Sequence, residues 1–290
     1  MTAVDTSAAR MLDGRAIADS IRAEVRADLE GVARRTGRVP GVAVVLVGDD
    51  PPSQIYAGRI LRSAESVGAP GALIELPATT SPSQVRERLT DLSNDPDVGG
   101  IILQLPLPAQ IPRAEVSESI DPDKDLDGIH PRNAGLVAQG FDAFAPSCAE
   151  AALTILKTGA IPLAGRRAVV IGRSPVVGKP AALLMLRQNA TVTVCHRRTL
   201  DLAAEVREAE IVIVAAGSPH LVTGDMVRPG AVVVDCGINV VDGRVVGDVD
   251  AASVAHVASA LTPVPGGVGP VTNAVLLRHL ARAVRRIAAA

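Results

Sequence analysis

A glycine-containing turn between an apolar run and a helical pattern is the first feature of this sequence suited to ligand binding. The segment VVIGRSPVVGKP, residues 169–180, contains Gly172, Ser174 and Gly178. Glycines let backbone N–H groups approach a pyrophosphate, and the start of a helix adds a favourable dipole. The spacing differs from the G-x-G-x-x-G fingerprint, so a purely structural turn is the alternative interpretation. The strand–turn–helix context favours a dinucleotide site.

The residues after the next apolar run indicate which dinucleotide would bind. Units that bind NAD usually place an acidic residue there, where it hydrogen-bonds the ribose 2′-hydroxyl. Here the sequence is CHRRT, with His196, Arg197 and Arg198 at that position, and Arg173 lies in the glycine turn. Arginine pairs with a 2′-phosphate, whereas an acid would repel it. NADP is therefore favoured over NAD, with a solvated basic turn as the alternative.

A second candidate site lies in VGDDPPSQIYAGRILR, residues 47–62. The pattern predicts the end of a strand and a helix from about Gln54, with Ser53 as its N-cap. Tyr56 is the only tyrosine of the chain and falls in the first turn of that helix. Ligands of α/β proteins bind at the carboxyl ends of strands, which is where this turn begins. Ile60 follows one turn later on the same helix face.

Alternating strand and helix patterns predict an α/β fold with two domains, because such alternation is typical of parallel strands joined by right-handed crossovers. We assign residues 1–148, together with the C-terminal helix 271–290, to an N-terminal domain. Residues 149–270 are assigned to a Rossmann-type domain with a parallel sheet that binds NADP. The segment 120–135 is rich in acids, proline and glycine and is predicted to be a functional loop. Predicted strands are 41–48, 72–77, 98–108 (broken by Pro106), 166–172, 191–196, 211–217 and 231–237. Predicted helices are 13–36, 54–67, 81–94 (capped by Ser81) and 149–158.

The composition agrees with this fold and narrows the class of protein. Nearly half of the 290 residues are apolar, yet there are only two Phe, one Tyr and no Trp, so the core must consist of aliphatic side chains. Such cores suit parallel sheets covered by helices. A formal net charge of −2 favours neither a nucleic-acid nor a membrane partner. The three cysteines lack metal-ligand spacing and no long apolar run occurs, so we expect reduced thiols, no metal site and a cytoplasmic protein.

Four segments in this order resemble the bifunctional methylenetetrahydrofolate dehydrogenase/methenyltetrahydrofolate cyclohydrolase family. They are GGIILQLPLP, DPDKDLDGIHPRNAG, VVIGRSPVVGKP and LTPVPGGVGPVT, and the similarity extends from LDGRAIA near the start to the last helix. The resemblance implies a catalytic domain followed by an NADP-binding domain, in a cytosolic homodimer that serves one-carbon metabolism.

The resemblance also implies roles for individual residues. Tyr56 would stack on the folate, since a flat ring with a polar tip suits a pterin. Asp127 would hydrogen-bond the pterin ring, and Gln104 would lie beside the reacting carbon. The structural alternatives are a loop cap for Asp127, backbone hydrogen bonds for Gln104 and ordinary packing for Tyr56. The residues implied to contact NADP are Gly172, Arg173, Ser174, Arg197 and Ile238.

Position 60 departs from the family pattern, which reads Tyr-x-x-x-Lys. That lysine handles the proton in the cyclohydrolase step, and here the residue is Ile60. Arg59 and Arg62 cannot replace it simply, because a guanidinium group stays protonated. No lysine precedes Lys124 in the chain. A second departure is at residues 146–151, where the family's Pro-Cys-Thr-Pro-x-Gly is PSCAEA.

The two reactions of the family depend on this lysine unequally. Oxidation of methylene- to methenyltetrahydrofolate transfers a hydride and requires positioning without an obligatory general base. Hydrolysis to 10-formyltetrahydrofolate requires an activated water and a protonated ring nitrogen, and such acid–base help is typically worth about 10²–10⁴-fold. The sequence therefore predicts that the dehydrogenase is retained and the cyclohydrolase is lost or weak.

Two alternatives remain open. The chain could be fully bifunctional, with Asp127, His130, Cys148 or water managing the proton. It could also be a non-catalytic protein that binds folate and NADP, although the intact cofactor turn argues against this.

Overall fold

The structure, a computed structural model, describes residues 9–289, which divide into two compact units. The six-stranded unit comprises residues 9–18 and 148–272, and the three-stranded unit comprises residues 19–147 and 273–289. Residues 9–18 were predicted to belong to the first domain, residues 1–148, but they group with the six-stranded unit. The reason is a short strand near the N-terminus that pairs within the six-stranded sheet.

Strands and helices alternate along most of the described chain. The strands are β1 (Arg10–Met11), β2 (Gly41–Val47), β3 (Gly71–Leu76), β4 (Val98–Leu103), β5 (Arg167–Ile171), β6 (Thr191–Cys195), β7 (Ile211–Val214), β8 (Val232–Asp235), β9 (Asn239–Val241), β10 (Arg244–Val246) and β11 (Ala260–Leu261). The α-helices are α1 (Gly14–Thr36), α2 (Pro51–Ser66), α3 (Pro82–Asn94), α4 (Arg113–Ser117), α5 (Pro131–Ala138), α6 (Ser147–Thr158), α7 (Gly178–Arg187), α8 (Leu202–Arg207), α9 (Ala251–Val254) and α10 (Val268–Ile287). None of the described helices combines the length and the apolar character needed to cross a bilayer.

The three-stranded unit has a parallel sheet in the order β3-β2-β4. Every residue of the central strand β2 is buried, which explains its unbroken apolar sequence GVAVVLV. β4 ends at Leu103, three residues before the break predicted at Pro106. Proline at positions 106 and 108 has no N–H to donate to a strand ladder, so the chain leaves the sheet there.

The six-stranded unit has the order β1-β11-β8-β7-β5-β6, and all its strand pairs are parallel. Strands β5 to β8 agree with the four strands predicted for this region. β1 and β11 contain two residues each and pair Arg10 with Ala260, too short a stretch to leave a periodic signal in the sequence. The aliphatic side chains of Val169, Val212 and Val233 belong to one buried cluster, as the composition predicts.

The start of helix α2 corrects one prediction. Ser53 is not the N-cap, because the helix already begins at Pro51 and Asp50 caps it. The carboxylate of Asp50 accepts the backbone N–H of Ser53 at 3.0 Å. Proline fits the first helical turn since its missing N–H is not needed there. In α3, by contrast, Ser81 is the N-cap, as predicted, and forms a capping box with Gln84.

The acid-rich segment 120–135 is ordered around one buried carboxylate. Asp125 is 1% exposed and accepts the backbone N–H groups of Ile129 at 3.1 Å and His130 at 2.8 Å. It also accepts the side-chain amide of Asn133 at 2.9 Å. Burial raises the pKa of Asp125, while these donors partly offset the effect. The predicted loop is therefore a fixed turn that leads into α5.

Candidate functional site

The first candidate group lies at one edge of the three-stranded sheet. β2 and β4 are parallel neighbours and end at the same edge, with Tyr56 in the helix that follows β2 and Gln104 directly after β4. The backbone N–H of Gln104 donates to the carbonyl of Val45 at 2.8 Å. The Gln104 side-chain amide donates to the carbonyl of Leu105, also at 2.8 Å. Two predicted site residues therefore follow adjacent strand ends.

Asp127 lies just after the point where its segment pairs with β4. Asp125 forms an isolated parallel bridge with Ile101, and the chain then turns at Asp127 and Gly128, the latter with a φ of +61°. The Asp127 carboxylate accepts the hydroxyl of Ser147, and the backbone N–H of Ser147 lies 3.4 Å away. Burial raises the pKa of Asp127, and the Ser147 hydroxyl partly offsets this. The Asp127 carboxyl is therefore fixed by Ser147, and it takes up a proton at a higher pH than a solvent-exposed aspartate would.

His279 is a residue near Asp127 that no sequence pattern singled out. Its side chain is 2% exposed, and its Nδ1 lies 2.7 Å from the carbonyl oxygen of Leu126. The ring lies 5.1 Å from that of Phe144, centroid to centroid. Burial raises the pKa of Asp127, and the neighbouring His279 side chain opposes this shift slightly. A lone histidine in a helical pattern gives no signal of this placement.

The side chain at position 60 is completely buried. Ile60 is 0% exposed, whereas Tyr56, one turn earlier, is half-buried. Arg59 and Arg62 are both exposed to solvent. Neither guanidinium therefore occupies the place of the Ile60 side chain.

Lys124, the lysine of the three-stranded unit, binds backbone carbonyls away from position 60. Its Nζ donates to the backbone carbonyls of Ser93 and Asp95, each at 2.7 Å. Burial lowers the pKa of Lys124, although Asp121 and Asp95 oppose the shift. In the described part of this unit, no lysine takes over the role of the residue missing at position 60.

The second candidate group lies at the carboxyl edge of the six-stranded sheet. β5 ends at Ile171, opposite Cys195 of β6 and Val214 of β7. β6 and β7 flank β5 on opposite sides, and dinucleotides bind at such a switch in strand order. The residues implied to contact NADP come from the segments after β5, β6 and β8 at this edge: Gly172, Arg173, Ser174, Arg197 and Ile238.

In the glycine turn before α7, no side chain covers the backbone at Gly172 and Gly178. Gly172 has a φ of +121°, and a Cβ there would lie 2.1 Å from the carbonyl oxygen of Ala215. A Cβ on Gly178 would lie 2.2 Å from the carbonyl oxygen of Gly172. The hydroxyl of Ser174 accepts the backbone N–H of Val177 at 3.1 Å and closes the turn. A side chain would fill this space, so the turn fits the close approach of a pyrophosphate.

The end of β6 is basic and open to solvent. Arg197 and Arg198 are exposed, and the backbone N–H of His196 donates to the hydroxyl of Thr199 at 2.9 Å. Arg173, in the glycine turn, is exposed as well. Guanidinium groups at this position suit a ribose 2′-phosphate. Beyond β8, the aliphatic side chain of Ile238 is 70% exposed.

Asp248, which no sequence pattern indicated, organises the loop after β7. It is 0% exposed and accepts three consecutive backbone N–H groups, those of Ala216, Gly217 and Ser218, at 2.7 to 2.8 Å. It also accepts the side-chain amide of Asn239 at 2.8 Å. Its carboxylate thus ties the loop after β7 to the start of β9.

Asp235, at the end of β8, likewise fixes neighbouring loops by accepting their backbone N–H groups. It is 3% exposed and accepts the backbone N–H groups of Gly237, Asp248 and Val249 at 2.8 to 3.1 Å. The position of Asp235 at the end of the apolar run AVVVDCG was the available sequence signal. Within residues 9–289, no three His, Cys, Asp or Glu side chains are placed to hold a metal ion.

Both units match models of known protein domains. Residues 12–127 match the model of the tetrahydrofolate dehydrogenase/cyclohydrolase catalytic domain. Residues 146–288 match the model of the NAD(P)-binding domain of the same enzymes. The "Bifunctional protein FolD" of Roseiflexus sp. is 50% identical over 277 residues, which cover 95% of this chain and 96% of the relative.

Solved structures agree with the sequence comparison. The crystal structure of the bifunctional enzyme FolD, methylenetetrahydrofolate dehydrogenase/cyclohydrolase, from Campylobacter jejuni is 39% identical. It superposes with a TM-score of 0.94, covering 96% of this chain and 99% of that one. The Trypanosoma brucei enzyme, solved with NADP cofactor and inhibitor, is 34% identical with a TM-score of 0.92, covering 97% of this chain and 98% of that one.

Replacing Gly172 with alanine is expected to weaken NADP binding by roughly 10- to 100-fold, because a strained backbone costs about 1–3 kcal/mol and here also meets a carbonyl oxygen. Isothermal titration of the purified variant with NADP measures the change. Gly135→Ala is the matched control, since nothing lies within 4 Å of a Cβ at that helical position. Wild-type affinity in the Gly172 variant would contradict the assignment of this turn.

Asp235 should make stability depend on pH. Burial raises its pKa from 3.8 to about 6, so its stabilising contribution is complete below pH 3.8 and is lost as the pH rises through 6. A shift of this size corresponds to about 3 kcal/mol. Urea unfolding between about pH 4 and pH 7 should show this decline, with a shallower slope in Asp235→Asn. Equal slopes in the two proteins would exclude Asp235 as the source.

Proposed function

Because this chain belongs to the tetrahydrofolate dehydrogenase/cyclohydrolase family, we propose that it oxidises 5,10-methylenetetrahydrofolate to 5,10-methenyltetrahydrofolate with NADP. The observation that carries the proposal is the match to both family domains by a chain that retains Tyr56, Gln104 and Asp127. The expected setting is one-carbon metabolism in the cytoplasm, and the expected assembly is a homodimer.

The three-stranded unit would bind the folate. The half-buried ring of Tyr56 offers a flat surface for stacking, and the Asp127 carboxyl offers acceptors for adjacent pterin N–H groups. Gln104, held after β4 by its backbone bond to Val45, would lie beside the reacting carbon. Positioning of this kind can supply a large part of the rate enhancement of a two-substrate reaction.

The six-stranded unit would hold NADP. The bare backbone at Gly172 would approach the pyrophosphate, Arg173 and Arg197 would pair with the 2′-phosphate, and Ser174 keeps the turn closed. The exposed aliphatic side chain of Ile238 would contact the cofactor from the loop after β8. The bound cofactor supplies a nicotinamide that accepts a hydride.

Hydrolysis of the methenyl product is the second candidate activity. Relatives that share about half of their residues with this chain carry the name "Bifunctional protein FolD", and this supports a bifunctional enzyme better than it supports loss of hydrolysis. The prediction of loss depends on the buried Ile60 alone. In a bifunctional enzyme, Asp127 is the favoured proton carrier of this unit, since burial raises the pKa of its carboxyl and Ser147 holds it.

One assay distinguishes these activities. Purified protein is mixed with methylenetetrahydrofolate and NADP⁺, and NADPH and the methenyl absorbance are followed together. NADPH formation confirms the dehydrogenase, and its absence despite measurable NADP binding would leave a non-catalytic binding protein. Accumulating methenyl product indicates a missing cyclohydrolase, whereas prompt conversion to the formyl product establishes the bifunctional enzyme.

The Ile60→Lys variant tests the role of position 60. If the missing lysine limits hydrolysis, this variant should hydrolyse supplied methenyltetrahydrofolate about 10²-fold faster or more. Ile60→Met is the matched control, because it is unbranched and apolar but cannot carry a proton. The dehydrogenase rate of each variant reports whether a charge at this buried position disturbs the fold. Equal hydrolysis by the two variants, with dehydrogenase intact, would show that the proton is carried elsewhere.

Arg197→Ala tests the preference for NADP. Loss of a charged hydrogen bond to the 2′-phosphate should raise the Kd for NADP by roughly 10- to 100-fold and leave the Kd for NAD nearly unchanged. Arg187→Ala, an exposed arginine at the end of α7, is the control and should alter neither value. Equal weakening of both dinucleotides would place Arg197 outside the 2′-phosphate site.

A further inference from the structure

The backbone on both sides of Asp127 is closely packed within the three-stranded unit. Before it, the side chain of Leu126 lies so near β4 that a Cβ on Gly100 would be 2.5 Å from it. After it, a Cβ on Gly128 would lie 2.5 Å from the backbone carbonyl oxygen of Phe144. The turn that carries Asp127 therefore has little room to move as a whole, and the orientation of its peptide groups depends on their hydrogen bonds.

His279 binds the carbonyl oxygen that directly precedes Asp127. Its Nδ1 lies 2.7 Å from the oxygen of Leu126. A carbonyl oxygen can only accept, so Nδ1 carries the proton and donates it. Because the peptide unit is planar, the direction of the Leu126 carbonyl also sets the plane that ends at the Cα of Asp127. The histidine thereby fixes the direction in which the Asp127 side chain leaves the backbone.

The imidazole of His279 is itself held in place by α10 and its neighbours. Its side chain is 2% exposed, and the ring lies tilted by 54° against that of the fully buried Phe144. The guanidinium of Arg282, one turn further along α10, lies 4.7 Å from the centre of the Phe144 ring. Arg282 also donates to the carbonyl of Ala143 at 3.2 Å. A donor locked by packing in this way can orient the group that accepts from it.

The two oxygens of the Asp127 carboxylate have different surroundings. Both donors of Ser147, its hydroxyl and its backbone N–H, are directed at Oδ1. Among residues 9–289, no donor meets Oδ2. The residue is half-buried, so this second oxygen can accept from a ligand. The direction of the Asp127 side chain therefore decides where a ligand finds its acceptor.

We propose that His279 is a positioning residue for folate binding. Its hydrogen bond to the Leu126 carbonyl orients the peptide of Asp127, so that Oδ2 receives the N–H groups of the pterin ring. His279 acts through Asp127 and does not itself contact the substrate. The inference rests on the proposed role of Asp127 in binding folate.

Two substitutions of His279 separate the hydrogen bond from the packing of the ring. In asparagine, Nδ2 is bonded to Cγ just as Nδ1 is in histidine, so His279→Asn keeps a donor for the Leu126 carbonyl. His279→Leu fills the space without a donor. Titration of each purified protein with tetrahydrofolate should show a Kd about tenfold higher or more in the leucine variant, because a displaced carboxylate loses charge-assisted hydrogen bonds to the ligand. The asparagine variant should stay within about threefold of wild type.

A double variant tests whether His279 acts through Asp127. In the Asp127→Ala background the carboxylate is gone, so adding His279→Leu should change the Kd for tetrahydrofolate by less than about twofold. A purely structural role of the histidine would weaken binding by the same factor in both backgrounds. The comparison therefore separates positioning from general destabilisation of the unit.

Leu280→Ala is the matched control, because it removes buried packing from the same helix and no hydrogen bond. It should lower the unfolding temperature and leave the Kd for tetrahydrofolate unchanged. NADP titration of every variant reports whether the chain is folded, and His279→Met, whose flexible apolar chain adapts to its space, replaces the leucine variant if that one does not fold.

Three results would overturn the positioning role. They are a wild-type Kd for tetrahydrofolate without the donor, a loss in His279→Asn as large as in His279→Leu, and equal losses with and without the Asp127 carboxylate. A different pair of results concerns the proposed function instead. No tetrahydrofolate binding by the wild type, or unchanged binding in Asp127→Ala, would overturn the proposed folate site itself.

Discussion

Parallel pairing of the strands determines where the candidate functional residues lie. In both larger sheets all strand pairs are parallel, so the carboxyl ends of neighbouring strands meet at one edge. Tyr56 and Gln104 are far apart in the sequence yet follow neighbouring strands, as do Gly172 and Arg197. Buried parallel strands require apolar side chains on both faces, which the aliphatic composition of this chain provides. The polar and charged candidate functional residues therefore lie in the loops at the edges of the sheets.

Those loops depend on buried carboxylates. Loop N–H groups have no ladder partner and must find another acceptor when they are buried. Asp125 and Asp235 each accept three donors, and Asp248 accepts four. An anionic acceptor makes strong hydrogen bonds, but its desolvation opposes ionisation. The raised pKa values of Asp125 and Asp235 show this cost, and the hydrogen bonds in return fix the geometry of both edges.

Position 60 shows how one substitution alters a site without altering its fold. Ile60 packs completely inside the three-stranded unit and needs no change in the helix that carries Tyr56. An aliphatic side chain there removes both a charge and a group able to exchange protons. Hydride transfer depends chiefly on positioning, which the surrounding residues can still provide. Hydrolysis depends on a proton carrier, so the proposed dehydrogenase and cyclohydrolase steps place different requirements on this position.

The sequence by itself determined the fold class, most strand and helix positions, the glycine turn, the basic end of β6 and the departure at position 60. These features are local, since each is carried by a run of residues with its own periodicity or spacing. Only the tertiary structure decided that Asp50 rather than Ser53 caps α2, and that a strand at residues 10–11 joins the six-stranded sheet. It also revealed that the carboxylates of Asp235 and Asp248 accept backbone N–H groups of distant loops. Such pairings join residues distant in the sequence, and no local pattern encodes which distant group will satisfy a buried donor.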